Sequence, residues 1–228
     1  LYLSMIPNLA ASLRLLLVTD DSLVEGRDLV AICRAAEQGG VTAVQVRLKQ
    51  AEPRSLVELV RELKSAISIP VMVNDRLDVA LAAGAVGVHL GPDDLPVPLA
   101  RAIVPPDFVI GTSVGSQDET VNGAQADYWG IGPYRTTTTK TDAGIALGVE
   151  GLRRLVRMAA GKTCVAIGGV TPEDVPAILE AGANGVAVVS GILRHADIES
   201  ASRRYAQAPG ERRDRREHRN RDTNEGQG

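Results

Sequence analysis

A (β/α)8 barrel, the TIM-barrel architecture built as a single α/β domain, is the structure to expect from this chain. Three observations point to it. Short runs rich in Val, Leu and Ile recur eight times along the sequence. Each is followed by a longer stretch with helical spacing. The units are near-equal, with no second-domain signal among them. The runs are apolar residue after residue, as strands of a parallel sheet covered on both faces must be. An open doubly wound sheet is the competitor, and the even repeat of the units favours closure.

In chain order the strands read as LRLLLVT (13–19), AVQVR (43–47), PVMVN (70–74), VGVHL (86–90), FVIGTS (108–113), YWGIG (128–132), CVAIGG (164–169) and GVAVVS (185–190). The amphipathic segments between and after them are 27–38, 53–66, 77–83, 95–104, 117–126, 149–159, 172–181 and 191–205. Three helix-to-strand joints carry glycine just past the helix, at Gly39-Gly40, Gly84 and Gly182. A left-handed residue there closes the last helical turn and marks which end of the next strand is which. Residues 13–205 form the expected barrel, preceded by an N-terminal extension over 1–12. From about residue 206 the sequence is Arg-rich and acidic with almost nothing apolar, which predicts a disordered charged tail over 206–228.

Composition removes several function classes. The chain holds 228 residues with 44% hydrophobic and only 3% aromatic content, so aliphatic side chains must build the core and few rings are available to stack bases. A net charge of −3 leaves no global basic excess for nucleic acid or anionic lipid. The apolar runs are far too short to span a membrane. The N-terminus lacks a leading basic region, and Pro7 and Asn8 break its apolar stretches, so no secretory leader is expected. Cys33 and Cys164 are widely separated and read as small buried hydrophobes. A cytoplasmic location follows as the expectation. Homo-oligomer formation stays open, because solvent-facing and subunit-facing helix surfaces are not separable in the sequence.

In a barrel of this kind chemistry sits at the C-terminal ends of the strands. Strand 2 ends in Gln45, Arg47 and Lys49, which alternation turns to one side. Two cations and an amide at a barrel mouth suit an anion. Strand 3 ends in Asn74-Asp75, and strand 4 leads to Asp94. Two carboxylates at neighbouring strand ends suit a Mg2+ ion completed by substrate phosphate oxygens, or alternatively two helix N-caps. Strand 5 ends in Ser113, and strand 6 opens into a Thr-rich loop, Thr136 to Thr139, that carries Lys140. Gly168-Gly169 after strand 7 and Val189-Ser190 after strand 8 fit a backbone phosphate cradle, or simply tight turns. A diphosphate in the first pocket and a monophosphate in the second suggest condensation of two phosphorylated molecules. No nucleophile–histidine pair is legible: His89 reads as an oriented packing residue, His195 and His218 as surface residues.

Taken in order, Gln45-x-Arg47-x-Lys49, VNDRLDVALAAGAVGVHLGPDDLP (73–96), GTS (111–113), ADYWGIGPYRTTTTKTDAG (126–144) and VAIGGVTPEDVPAILEAGANGVAVVSGI (165–192) resemble the thiamine phosphate synthase, or thiamine-phosphate pyrophosphorylase, family over about residues 14–200. The resemblance implies a magnesium-dependent transferase. It would join 4-amino-2-methyl-5-hydroxymethylpyrimidine diphosphate to 4-methyl-5-(2-phosphoethyl)thiazole, giving thiamine phosphate and diphosphate. It also implies residue roles. Gln45, Arg47, Lys49, Asn74, Ser113 and Lys140 would contact the pyrimidine diphosphate, with Arg47, Lys49, Ser113 and Lys140 acting in catalysis. Asp75 and Asp94 would hold magnesium, and Thr137, Thr138, Thr139, Gly169, Val189 and Ser190 would meet the thiazole phosphate. Two departures stand out. Arg135-Thr136 occupies positions where a different residue and a proline are usual, and Gly115 stands where a histidine usually follows G-x-S. A thiazole tautomerase of the same fold relies on a histidine near that position and is the main rival. A non-catalytic phosphate-binding barrel is the other.

Overall fold

In the computed structural model, which describes residues 6, 8–136 and 144–208, every strand pairs in parallel with its sequence neighbours. The strands are β1 (Leu15–Val18), β2 (Ala43–Val46), β3 (Val71–Asn74), β4 (Gly87–Leu90), β5 (Val109–Val114), β6 (Tyr128–Ile131), β7 (Thr163–Ile167) and β8 (Gly185–Val188). The seam that closes the ring sets Leu15 against Val186 and Leu17 against Val188. The expected closed (β/α)8 barrel is therefore present.

Strand alternation divides the core in two. Leu16, Val18, Ala43, Met72, Val109, Tyr128, Val165 and Ala187 point inward and pack against one another. Leu15, Leu17, Val44, Val46, Val71, Val73, Val88 and Ile110 point outward, beneath the helices. Burying each such aliphatic side chain contributes roughly 1.5–3 kcal/mol. Apolar packing, rather than the scattered surface ion pairs, therefore holds the barrel. Cys33 and Cys164 lie buried as free thiols, as expected. Burial pushes both up to about 12, so they stay protonated.

The helices follow the sequence with instructive exceptions. They are α1 (Leu9–Ser12), α2 (Asp21–Val24), α3 (Leu29–Gln38), α4 (Pro53–Ala66), α5 (Leu77–Ala83), α6 (Val97–Ile103), α7 (Gly148–Met158), α8 (Val175–Glu180), α9 (Ser190–Leu193) and α10 (Ile198–Ala206). The segment expected to be helical over 117–126 is instead two 3-10 turns, Asp118–Thr120 and Asn122–Gln125. Its Gly123 presses against the Trp129 indole, whose Nε1 donates to the Gly123 carbonyl at 2.8 Å. That bond captures a carbonyl an α-helix would need. The segment expected over 191–205 is split into α9 and α10, because Asp197 caps the second piece through the Ser200 amide. Pro172 starts a 3-10 turn before α8 in the same way. At the joints, Gly40, Gly84 and Gly182 take positive φ.

Of the N-terminal extension, Ile6 and Leu9 pack against the inward-facing core. Of the C-terminal stretch, Ala206 ends α10, and residues 209–228 lie outside the described residues. Among the described residues no helix is long and apolar enough to cross a membrane.

Candidate active site

At the C-terminal mouth of the barrel lies a cavity of about 780 Å³. Its lining brings together Gln45, Arg47, Lys49, Asn74, Asp75, Asp94, Ser113, Gly169, Val189 and Ser190, from six different strand ends. All of these were expected site residues. Thr137, Thr138, Thr139 and Lys140 lie outside the described residues, which stop at Thr136 and resume at Gly144.

On the β2–β3 side the polar groups form a chain of contacts. Gln45 Nε2 donates to Asn74 Oδ1 at 2.6 Å. Arg47 Nη1 meets Asp20 Oδ2 at 3.0 Å, with both side chains mostly buried. Lys49 Nζ lies 3.3 Å from Asp75 Oδ2. Asp20, at the end of β1, had no signal in the sequence reading, yet it aims the guanidinium. Both cations therefore already face a carboxylate, a more balanced arrangement than a bare basic cluster.

Neither Asp75 nor Asp94 caps a helix, which removes that alternative. The residue at the cap of α5 is Arg76, and the one at the cap of α6 is Pro96. Asp75 sits at φ 62°, a left-handed position that a non-glycine residue adopts at a cost of about 1–3 kcal/mol. Its amide donates to the His89 carbonyl at 2.8 Å, which fixes the turn. Asp94 Oδ2 accepts from the Gly91 amide at 2.6 Å. Burial holds the Asp94 carboxyl above its ordinary range, and so do its hydrogen bond to Asp75 and the charge there; the Gly91 amide and Lys49 oppose this.

Arg47 and Lys49 face Asp20 and Asp75, and Asp93 and Asp94 line the same corner, so its described side chains carry more acid than base. Among the described residues, a diphosphate finds no net positive charge in this corner. The donor set thus fits a hard divalent cation carrying substrate oxygens and water. Among the described residues no cluster of three protein ligands exists to hold one alone.

Across the mouth, Gly168 and Gly169 take successive positive φ of 93° and 66°. A Cβ on Gly168 would lie 2.8 Å from Pro133 Cα, and one on Gly169 2.8 Å from Arg135 Cβ. The pair of glycines therefore admits the strand-6 loop as much as any ligand. That loop is stitched down: the Arg135 amide donates to the Gly168 carbonyl at 2.8 Å, and Arg135 Nε to Asp174 Oδ2 at 3.0 Å. Ser190 opens α9, a single turn whose dipole is small, so this helix adds little pull on an anion.

One expectation fails. His89 is not without a hydroxyl partner: its Nε2 lies 3.1 Å from Ser113 Oγ, and its Nδ1 lies 2.9 Å from the Tyr128 hydroxyl. Counting alternation across strands would have found this set. Register aligns His89 with Gly111, Gly111 with Tyr128, and Ser113 with Gly130, so the three side chains share the barrel interior on consecutive strands.

Residues 15–192 match the family model described as thiamine monophosphate synthase. The chain belongs to this family. Among thiamine monophosphate synthase relatives, the thiamine-phosphate synthase of Azorhizobium caulinodans is 47% identical over 196 residues, 84% of this chain and 92% of that protein. The one from Syntrophomonas wolfei is 43% identical over 198 residues, 85% and 94% respectively. A thiamine phosphate pyrophosphorylase structure from Pyrococcus furiosus superposes with a TM-score of 0.75 at 35% identity, covering 87% of this chain and 96% of that one. Gly115, the position on which the tautomerase alternative turns, carries no side chain. Its amide donates to Glu119 at 2.7 Å, and a Cβ there would come 2.8 Å from the Gly132 carbonyl. No side chain at 115 can serve as the tautomerase acid or base.

Proposed function

We infer that the chain is a thiamine-phosphate synthase. This transferase joins the pyrimidine methylene of 4-amino-2-methyl-5-hydroxymethylpyrimidine diphosphate to the ring nitrogen of 4-methyl-5-(2-phosphoethyl)thiazole. The observation that carries the reading is the convergence of Gln45, Arg47, Lys49, Asn74, Asp75, Asp94 and Ser113 on one cavity, opposite a glycine cradle, in a chain of this family.

The C–O bond to diphosphate breaks, the C–N bond to the thiazole forms, and diphosphate departs; no proton has to move. Arg47 and Lys49 meet the diphosphate and stabilise charge as it develops on the leaving group. Gln45 and Ser113 orient the pyrimidine so that its amino group can feed electrons toward the methylene. Gly169, Val189 and Ser190 hold the thiazole phosphate, presenting the thiazole nitrogen at the opposite face. Asp75 and Asp94 would hold Mg2+, which when bound neutralises diphosphate charge. With leaving-group ionisation ahead of bond formation, the substitution is dissociative. Two buried thiols fit a reducing, cytoplasmic setting.

The test is direct. Both phosphorylated substrates are incubated with the protein, with and without Mg2+, and thiamine phosphate is read by fluorescence after oxidation. Mg2+-dependent product is expected. A folded protein that makes none with Mg2+ present would overturn the reading.

A further inference from the structure

The Ser113 hydroxyl ends a hydrogen-bonded chain whose other members, the His89 imidazole and the Tyr128 hydroxyl, the roles above leave unused; all three border the cavity. The barrel makes room for it deliberately. A Cβ on Gly111 would lie 2.1 Å from the Tyr128 ring, and a Cβ on Gly130 would lie 2.9 Å from His89 Cε1. Two inward positions on β5 and β6 are therefore left without side chains so that a phenol and an imidazole can lie in line.

The direction of this chain follows from its inner end. Tyr128 is fully enclosed, and burial raises its phenol above the ordinary value, so it keeps its proton. A buried hydroxyl proton needs an acceptor. Among the described residues, the hydrogen-bond partner of the Tyr128 hydroxyl is His89 Nδ1. If Nδ1 carried a proton, the phenol would accept instead, and its own hydrogen would have no acceptor among the described residues. The phenol therefore donates to Nδ1. The neutral ring then carries its hydrogen on Nε2 and donates to Ser113 Oγ. With that lone pair taken, the Ser113 hydroxyl turns its own hydrogen toward the cavity it lines.

The geometry points to Tyr128 and His89 as positioning residues that fix the polarity of Ser113, so that its hydroxyl is offered to the ligand as a donor. The ligand group that takes this hydrogen is an acceptor, such as an unprotonated ring nitrogen. This rests on the proposed function for the identity of that ring, but the polarity itself does not.

Nitrogen-15 NMR of histidine-labelled protein reads the tautomer without substrate. The His89 signals should show a protonated Nε2 and a bare Nδ1, and Tyr128→Phe should abolish that preference while the rest of the spectrum persists. A ring protonated on Nδ1 in the wild type, or an unchanged tautomer in Tyr128→Phe, overturns the inference. Kinetics supply the second arm. Tyr128→Phe should lower kcat/KM about tenfold, as loss of one aligned hydrogen bond does. In a Ser113→Ala background the same change should cost nothing further. Additive losses would mean that Tyr128 acts by packing and would overturn the positioning role. A wild type that shows the expected tautomer but makes no thiamine phosphate would instead count against the proposed function alone.

Discussion

The carboxylate pair shows how a single residue can trade stability for chemistry. Asp94 is held above its ordinary range because it converges on Asp75 in a partly buried corner. An acid with a raised folded value destabilises the fold as pH rises past its unfolded value. Asp94→Asn should therefore raise the melting temperature by ~2 °C in chelator at neutral pH. The same change should lower Mg2+-dependent turnover about a hundredfold. A melting temperature that falls, or turnover that persists at limiting Mg2+, would count against the shared-cation assignment. Asp174 behaves oppositely. Burial alone would raise it, but Arg135 and the Thr171 amide and hydroxyl outweigh that and hold it below the usual aspartate range. Its stabilisation is present above the unfolded value and lost as pH falls through the lower folded one. Arg135→Ala should thus narrow the gap in melting temperature between pH 6 and pH 3. It should also weaken thiazole phosphate binding, since Arg135 tethers the loop beside Gly169. A sequence reader sees Asp75 and Asp94 because they sit in a motif. Asp20 and Asp174 are invisible, because their partners lie 27 and 39 residues away in the chain.

Elements were legible wherever local pattern alone decides them. All eight strands fall where unbroken apolar runs predict, because burial on both faces leaves no other reading. Helix ends were harder, since a cap such as Asp197 competes with the apolar spacing that runs through it. The least legible element was 117–126, where an indole from the following strand overrides helical periodicity. The loops after β6 and β7 are bonded together, and substitutions there and at the start of α9 should separate backbone from side-chain effects. Ser190→Ala removes one hydroxyl and should raise the KM for thiazole phosphate only a few-fold. Gly169→Val forces a side chain into a left-handed site and against Arg135, so it should raise that KM by orders of magnitude and lower the melting temperature. Isothermal titration with thiazole phosphate measures both, and equal affinities would remove the cradle.

At the scale of the molecule, the chemistry and the closure occupy opposite ends of the same ring. Motif residues cluster at the mouth, while the joints with left-handed Gly40, Gly84 and Gly182 lie at the base of the strands they precede. The His89–Tyr128–Ser113 line went unread because it belongs to neither list; it needs the register of three strands at once. Residues 209–228 contain no aliphatic residue larger than proline and no aromatic one, so they offer the core nothing to bury. A chain ending at Ala208 should therefore melt within ~1 °C of the full protein and turn over at the same rate. A lower melting temperature or a slower reaction would show that this stretch docks on the barrel.

The seam between β1 and β8 has a consequence for how copies of this protein meet. An open sheet ends in rows of unpaired amides and carbonyls, which template the growth of fibrils. Here the ring spends them internally, and each strand is flanked on both sides. Contact between copies must then be made through helix faces and loops, whose side chains can be tuned one at a time. The protection depends on a close approach: a Cβ on Gly185 would lie 2.0 Å from the Leu13 carbonyl. A bulky residue there would pry the ring apart at its seam, and two strands would be released to look for partners in other molecules.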